Sequence, residues 1–116
     1  MTKQVGFGRK QSGMNHEECI KYHREMHAPM AARVLGPRLK SCVAHYVNEA
    51  FSLKVGFMAS RPYDTIVVAQ FDDDFWVTRE AFSKTPEGIA IVQDEENFLD
   101  RNNMICLVCQ KYTYIP

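Results

Sequence analysis

The apolar residues of this chain change period repeatedly from one end to the other, and the order of those changes leaves few folds open. Lys3 to Lys10 alternates, with Val5, Phe7 and Arg9 on one face and Gly6 and Gly8 on the other, which reads as a strand. Gln11-Ser12-Gly13 is a turn. Asn15-His16-Glu17-Glu18 then has the form of a helix start: Asn15 can accept from the Glu18 amide while the Glu18 carboxylate reaches back. The helical pattern continues to Leu35 and stops at Gly36-Pro37. Pro29 falls inside it, removes one backbone donor and predicts a kink at His27-Ala28.

Lys40 to Asn48 is a second strand, with Cys42, Ala44 and Tyr46 on one face and Val43, His45 and Val47 on the other. Glu49 to Tyr63 is apolar yet irregular, a stretch that fits a lid, an extra hairpin or a dimer arm. Thr65 to Phe71 is the clearest buried strand. Asp72-Asp73-Asp74 caps a helix over Phe75 to Lys84, and Thr85-Pro86-Glu87 opens another that runs to about Phe98. Met104 to Tyr114 closes the chain as a strand. The order β-α-β-(flap)-β-α-α-β is that of an α+β, ferredoxin-like domain: a four-stranded antiparallel sheet with helices on one face. The opposite sheet face is apolar and has no helix to cover it. A second copy of the chain is the expected cover, making a homodimer.

A chain of 116 residues suits one domain over 1–116. Fourteen basic side chains balance fourteen acidic ones, which leaves no electrostatic footprint for nucleic acid and no polybasic membrane patch. No apolar run approaches the roughly 20 residues of a membrane span, and Met1-Thr2-Lys3-Gln4 does not open like a signal peptide. A cytoplasmic protein is expected, with its four cysteines as reduced, buried thiols. Cys106 and Cys109 have CxxC spacing, but on a strand they point to opposite faces and cannot easily grip one ion.

Two of the four histidines, His23 and His27, lie four apart on the first helix and so share a face. Histidine exchanges protons near neutral pH better than any other side chain. Zinc would need further ligands that the spacing does not offer, so no metal and no cofactor is expected. Asp64, where the irregular segment meets the third strand, fits either a His-orienting carboxylate or a turn cap. Tyr46 and Tyr63 can donate to a developing oxyanion, or serve as amphipathic core residues. Phe51, Phe57 and Trp76 fit the apolar wall of a site for a flat ring. His45, alone on its strand face, reads as a structural histidine. GxGxxG, P-loop and GxSxG motifs are all missing, which excludes the corresponding dinucleotide, nucleotide and serine-hydrolase readings.

Gly13-Met14-Asn15-His16-Glu17-Glu18 and Tyr22-His23-Arg24-Glu25-Met26-His27-Ala28-Pro29 together resemble the signature of the EthD-like family of small dimeric α+β barrels. Arg61-Pro62-Tyr63-Asp64-Thr65 is similar to the family's segment at its third strand. Phe75-Trp76 and Glu96-Asn97-Phe98-Leu99-Asp100 follow in the family's order. The resemblance implies a dimer with a pocket between helices and sheet in each subunit. It also implies cofactor-free chemistry on a small aromatic, polyketide-like substrate, by decarboxylation, dehydration or cyclisation. His27 and Asp64 carry over as site residues, with His23 where many members have Trp, and Tyr22 stands in the same segment as a substrate-side ring. The expected catalytic set is therefore His27, His23 and Asp64. A cofactor-independent oxygenase of phenolic or anthrone substrates and a non-catalytic dimer that binds hydrophobic ligands are the alternatives.

Overall fold

A computed structural model describes residues 2–116. The first strand, β1 (Thr2–Gly8), lies beside β5 (Thr65–Phe71) at the centre of a four-stranded antiparallel sheet, flanked by β2 (Leu39–Tyr46) and β6 (Ile105–Gln110), in the order β2-β5-β1-β6. Between β2 and β5 the chain makes a small separate hairpin, β3 (Phe51–Ser52) and β4 (Gly56–Phe57). The helices are α1 (His16–Tyr22), a π-helical turn over His23–His27, α2 (Ala28–Leu35), α3 (Asp73–Ser83) and α4 (Pro86–Glu95). This is the ferredoxin-like α+β architecture that the order of periodicities predicts.

Local chemistry starts and stops these elements. Asn15 Oδ1 accepts from the Glu18 amide at 2.8 Å, and Glu18 Oε1 accepts from the Asn15 amide at 3.1 Å, so two orphan donors of α1 are met reciprocally. Asp72 caps α3 through the Phe75 amide at 2.7 Å, and Thr85 caps α4 through the Gly88 amide at 3.2 Å. Gly36, at φ 56°, turns the chain out of α2 in a conformation that costs a side-chain-bearing residue far more.

The first helix departs from expectation. The distortion occupies His23–His27, one turn ahead of the kink predicted at His27-Ala28. There the Ala28 amide donates to the His23 carbonyl, five residues back. Pro29 explains why widening is tolerated: it has no N–H, so the regular α ladder is already broken at this point.

Three further expectations need correction. The final strand ends at Gln110, short of Tyr114, because Gln110 pairs with Thr2, where β1 begins; Tyr112 and Tyr114 lie exposed beyond it. Of the four cysteines, all free, Cys19 is fully buried, while Cys42 and Cys106 are exposed and Cys109 is half-buried. His45 is exposed on the helix-free sheet face, opposite Ile66, and among the described residues no hydrogen-bond partner secures it.

Apolar packing gathers in two clusters. Cys19, Phe98 and Leu99 pack with Met14, Tyr22 and Met104 at one end. Ala69, Phe71 and Phe75 pack with Leu35, Leu39, Trp76 and Phe82 at the other. The α3–α4 corner of the second cluster is tight: a Cβ on Gly88 would collide with the Phe82 carbonyl and with Ser83 Cα, which are backbone atoms and cannot swing away. Gly88→Ala is therefore expected to lower stability by about 1–3 kcal/mol in urea unfolding. An unchanged midpoint would mean that the corner yields freely.

Candidate functional site

The two clusters do not meet, and the space between them is a cleft of about 350 Å³ between sheet and helices. Small side chains keep it open. Gly6, Ala44 and Ala69 line it from the sheet, and Ala28, Ala31 and Ala32 line it from α2. The wall is otherwise largely apolar, which suits a flat, poorly hydrated ligand. The polar side chains that reach it include His23, His27 and Glu95.

The π-helical turn delivers both histidines to the same cleft, with ring centroids 5.9 Å apart and each ring tilted against Phe98. Their electrostatic settings differ. His27 Nδ1 donates to Asp94 Oδ2 at 2.8 Å. Asp94 Oδ1 in turn accepts from Tyr22 Oη at 2.6 Å and Asn97 Nδ2 at 3.1 Å. Partial burial alone would raise the Asp94 carboxyl, but the bonds from Tyr22, His27 and Asn97 outweigh it and hold the group below its ordinary range. Asp94 is thus an ionised acceptor, the bond fixes the proton of His27 on Nδ1, and Nε2 is left as the nitrogen with a free lone pair. The same bond raises the Tyr22 phenol, because ionising it would place two anions together.

His23 is 6% exposed, and its Nδ1 lies 2.7 Å from Tyr46 Oη. Burial first, then the nearby His27, pushes its pKa down to about 4. Burial also raises the Tyr46 phenol. The pair is consequently neutral at pH 7, whereas His27 is coupled to a carboxylate.

The structure brings His23 and His27 to one cleft, as their spacing predicts, but pairs neither of them with Asp64. Asp64 does hold a histidine, namely His16: Oδ1 accepts from His16 Nδ1 at 2.6 Å, and Oδ2 accepts from the Lys10 amide at 2.7 Å. Both carboxylate oxygens are taken by the β1–α1 connection, and Asp64 is absent from the cleft wall. Tyr63 stacks near Phe7, with centroids 5.4 Å apart, rather than in the cleft. Phe51 and Phe57 face each other across the exposed hairpin at 5.7 Å, so the hairpin is not a lid over this cleft. Trp76 packs edge-on against Phe71 and lies under Arg79, with its buried Nε1 unpartnered. Tyr46 meets the site through its bond to His23, and Tyr22 through its bond to Asp94. No three His, Cys, Asp or Glu side chains converge to hold a metal ion among the described residues.

Asp94 and Glu95 were missed, yet a signal for them was present. Asp94-Glu95-Glu96 falls at the C-terminal end of α4, where the helix dipole disfavours negative charge. Acids retained there against the dipole are held by something else.

The EthD domain model matches residues 11–102 of the chain. Among solved structures the chain is similar to an ethyl tert-butyl ether d (EthD) family protein from Bacillus halodurans, at 15% identity and a TM-score of 0.66, covering 97% of this chain and 100% of that one. It is similar to an EthD-like protein from Ralstonia eutropha at 12% identity and a TM-score of 0.64, over 98% and 95% of the two chains. A dimeric protein of unknown function and ferredoxin-like fold from Bacteroides fragilis aligns at 9% identity and a TM-score of 0.57, over 95% of each chain. At these identities the likeness is one of fold. Comparison with curated proteins gave no match.

The burial of neutral His23 has a consequence for stability. An unfolded chain protonates this residue near pH 6.5, and the folded chain only near pH 4. Above pH 6.5 the contribution is complete; as pH falls toward 4 the unfolded state gains a proton that the folded state lacks, and stability drains away. The loss is expected to reach about 3 kcal/mol. Urea unfolding of the wild type and of His23→Gln at pH 7 and pH 4.5 checks this: the variant should lose distinctly less. Equal losses would assign the acid sensitivity to other groups.

Proposed function

The chain belongs to the EthD domain family, and on that premise we propose that it is a cofactor-free enzyme acting on a small aromatic, polyketide-like substrate through histidine acid/base chemistry. The observation that carries this reading is the His27–Asp94 pair at the wall of an apolar cleft. His27 Nε2 takes a proton from carbon beside a substrate carbonyl, the electron pair moves onto the carbonyl oxygen, and Asp94 balances the imidazolium that forms. The enolate then expels a β-hydroxyl, which leaves as water with the proton returned by His27, or closes onto a second carbonyl whose oxygen takes that proton. Where the enolate arises by loss of carbon dioxide, its carbon receives a proton from His27. The neutral His23–Tyr46 pair supplies the hydrogen bond that steadies the enolate oxygen. Asp94 takes over the orienting role expected of Asp64.

A positioned base contributes about 10²–10⁴-fold. His27→Ala is expected to lower turnover of a β-polyketone-derived phenolic substrate by that order, with the melting temperature nearly unchanged. Asp94→Asn should lower it less while shifting the pH-rate profile. Full activity of folded His27→Ala would overturn the reading. Turnover that requires oxygen under otherwise identical conditions would favour the oxygenase instead.

The helix-free sheet face supports a second proposal, that the working unit is a homodimer. Val5, Phe7, Val43, Ile66, Val68 and Leu107 alternate with cleft-lining neighbours and so point away from the helices. Val43 is 52% exposed and Leu107 48%, and the Bacteroides fragilis relative is described as dimeric. Specific interfaces bury about 1,200–2,000 Å², which a sheet face of this kind can supply from two copies. Sedimentation at micromolar concentration is expected to give the dimer mass, and Val43→Glu the monomer. A monomeric wild type would refute the dimer.

A further inference from the structure

A carboxylate is a costly group to keep in an apolar wall. Glu95 is nevertheless 7% exposed and lines the cleft near Ile91, Phe98 and Cys106. The end of α4 adds to the cost, since the helix dipole there repels negative charge. Arg101, from the short helical turn that precedes β6, donates through Nη1 to Glu95 Oε1 at 3.1 Å. The arginine is itself 39% exposed. A pair of this kind is weak evidence for stability, because apolar residues of similar volume would fill the space as well or better. Glu95 shares the cleft wall with His27 and Cys106, which sets it within the cleft rather than behind it. Burial raises it above the ordinary glutamate range in spite of Arg101. With Oε1 held by the guanidinium, Oε2 is the oxygen that can receive a donor from a ligand.

We propose that Glu95, positioned by Arg101, determines specificity in this cleft by accepting a hydrogen bond from a hydroxyl on a flat aromatic ligand. The ring occupies the apolar space between the two core clusters, and its hydroxyl meets Glu95, the one carboxylate among the described residues that lines that space. The same ring without the hydroxyl, or with it methylated, leaves a buried carboxylate unpaired, a penalty that sites built for hydroxyl recognition exploit for selection. The arrangement narrows the substrate class to hydroxylated arenes, phenols or stable enols. It rests on reading the cleft as the substrate site, although it needs no proton transfer by His27.

The test is a matched pair of probes, 2-naphthol and 2-methoxynaphthalene, titrated against the full chain at pH 7 by calorimetry. Wild type is expected to bind the naphthol roughly ten- to hundredfold more tightly than the ether, the range for a hydrogen bond to a charged group. Glu95→Leu should bring the two affinities within about twofold of each other, chiefly by weakening the naphthol. Arg101→Met should reduce the preference without abolishing it. Glu95→Gln keeps the shape of the side chain, guards against loss of fold in the leucine variant and should retain an intermediate preference. Discrimination between the probes by wild type, beside full turnover in folded His27→Ala, would overturn the acid/base reading alone, so failure of that reading and failure of this one are told apart. Equal affinities in wild type, no binding of either probe, or a preference that survives Glu95→Leu in folded protein would each overturn the proposal.

Discussion

Pro29 has no amide hydrogen to donate, and the helix just before it is wound wider, with Ala28 reaching five residues back to His23. Much of the site follows from that backbone arrangement. The widened turn presents His23 and His27 to one cleft while giving each a different partner, Tyr46 on β2 for one and Asp94 on α4 for the other. The first helical segment is thereby fastened at once to the sheet and to α4. The cleft is what remains between those two fastenings.

The division of charge follows the same geometry. Asp94 collects bonds from Tyr22, His27 and Asn97, and stays ionised in a partly buried position. His23, one turn earlier and deeper, meets a phenol and is held neutral. Two imidazoles with centroids 5.9 Å apart thus occupy opposite electrostatic settings, the condition under which neighbouring groups take different roles in proton transfer.

What could be read from sequence depended on the range of the interaction. Caps at Asn15, Asp72 and Thr85, the stop at Gly36 and the alternation of β1, β2 and β5 are local, and each stands where periodicity put it. The histidine pair was legible because residues four apart on a helical segment share a face. The identity of the acid was not, since Asp64 and Asp94 both lie far along the chain and only the packing of α4 against the π-helical turn decides between them. The same limit explains the aromatic residues: Phe51, Phe57, Tyr63 and Trp76 have the right chemistry for a pocket wall but belong to a hairpin, to the connection into β5 beside Phe7, and to the far side of a core cluster. Conversely, the alanines and glycines that shape the cleft are invisible to a search for functional side chains.

Those alanines bear on how such a scaffold can diverge. Ala28, Ala31 and Ala32 contribute little more than a methyl each to the upper wall of the cleft, whereas His23, His27 and Asp94 stand on the preceding turn and on α4. A lineage that enlarged one of these methyls would reshape the molecule that fits while leaving the histidines and their hydrogen-bond partners where they are. The residues that set the width of the cleft and those that carry its hydrogen bonds are largely different, so either set can change with the other unaltered.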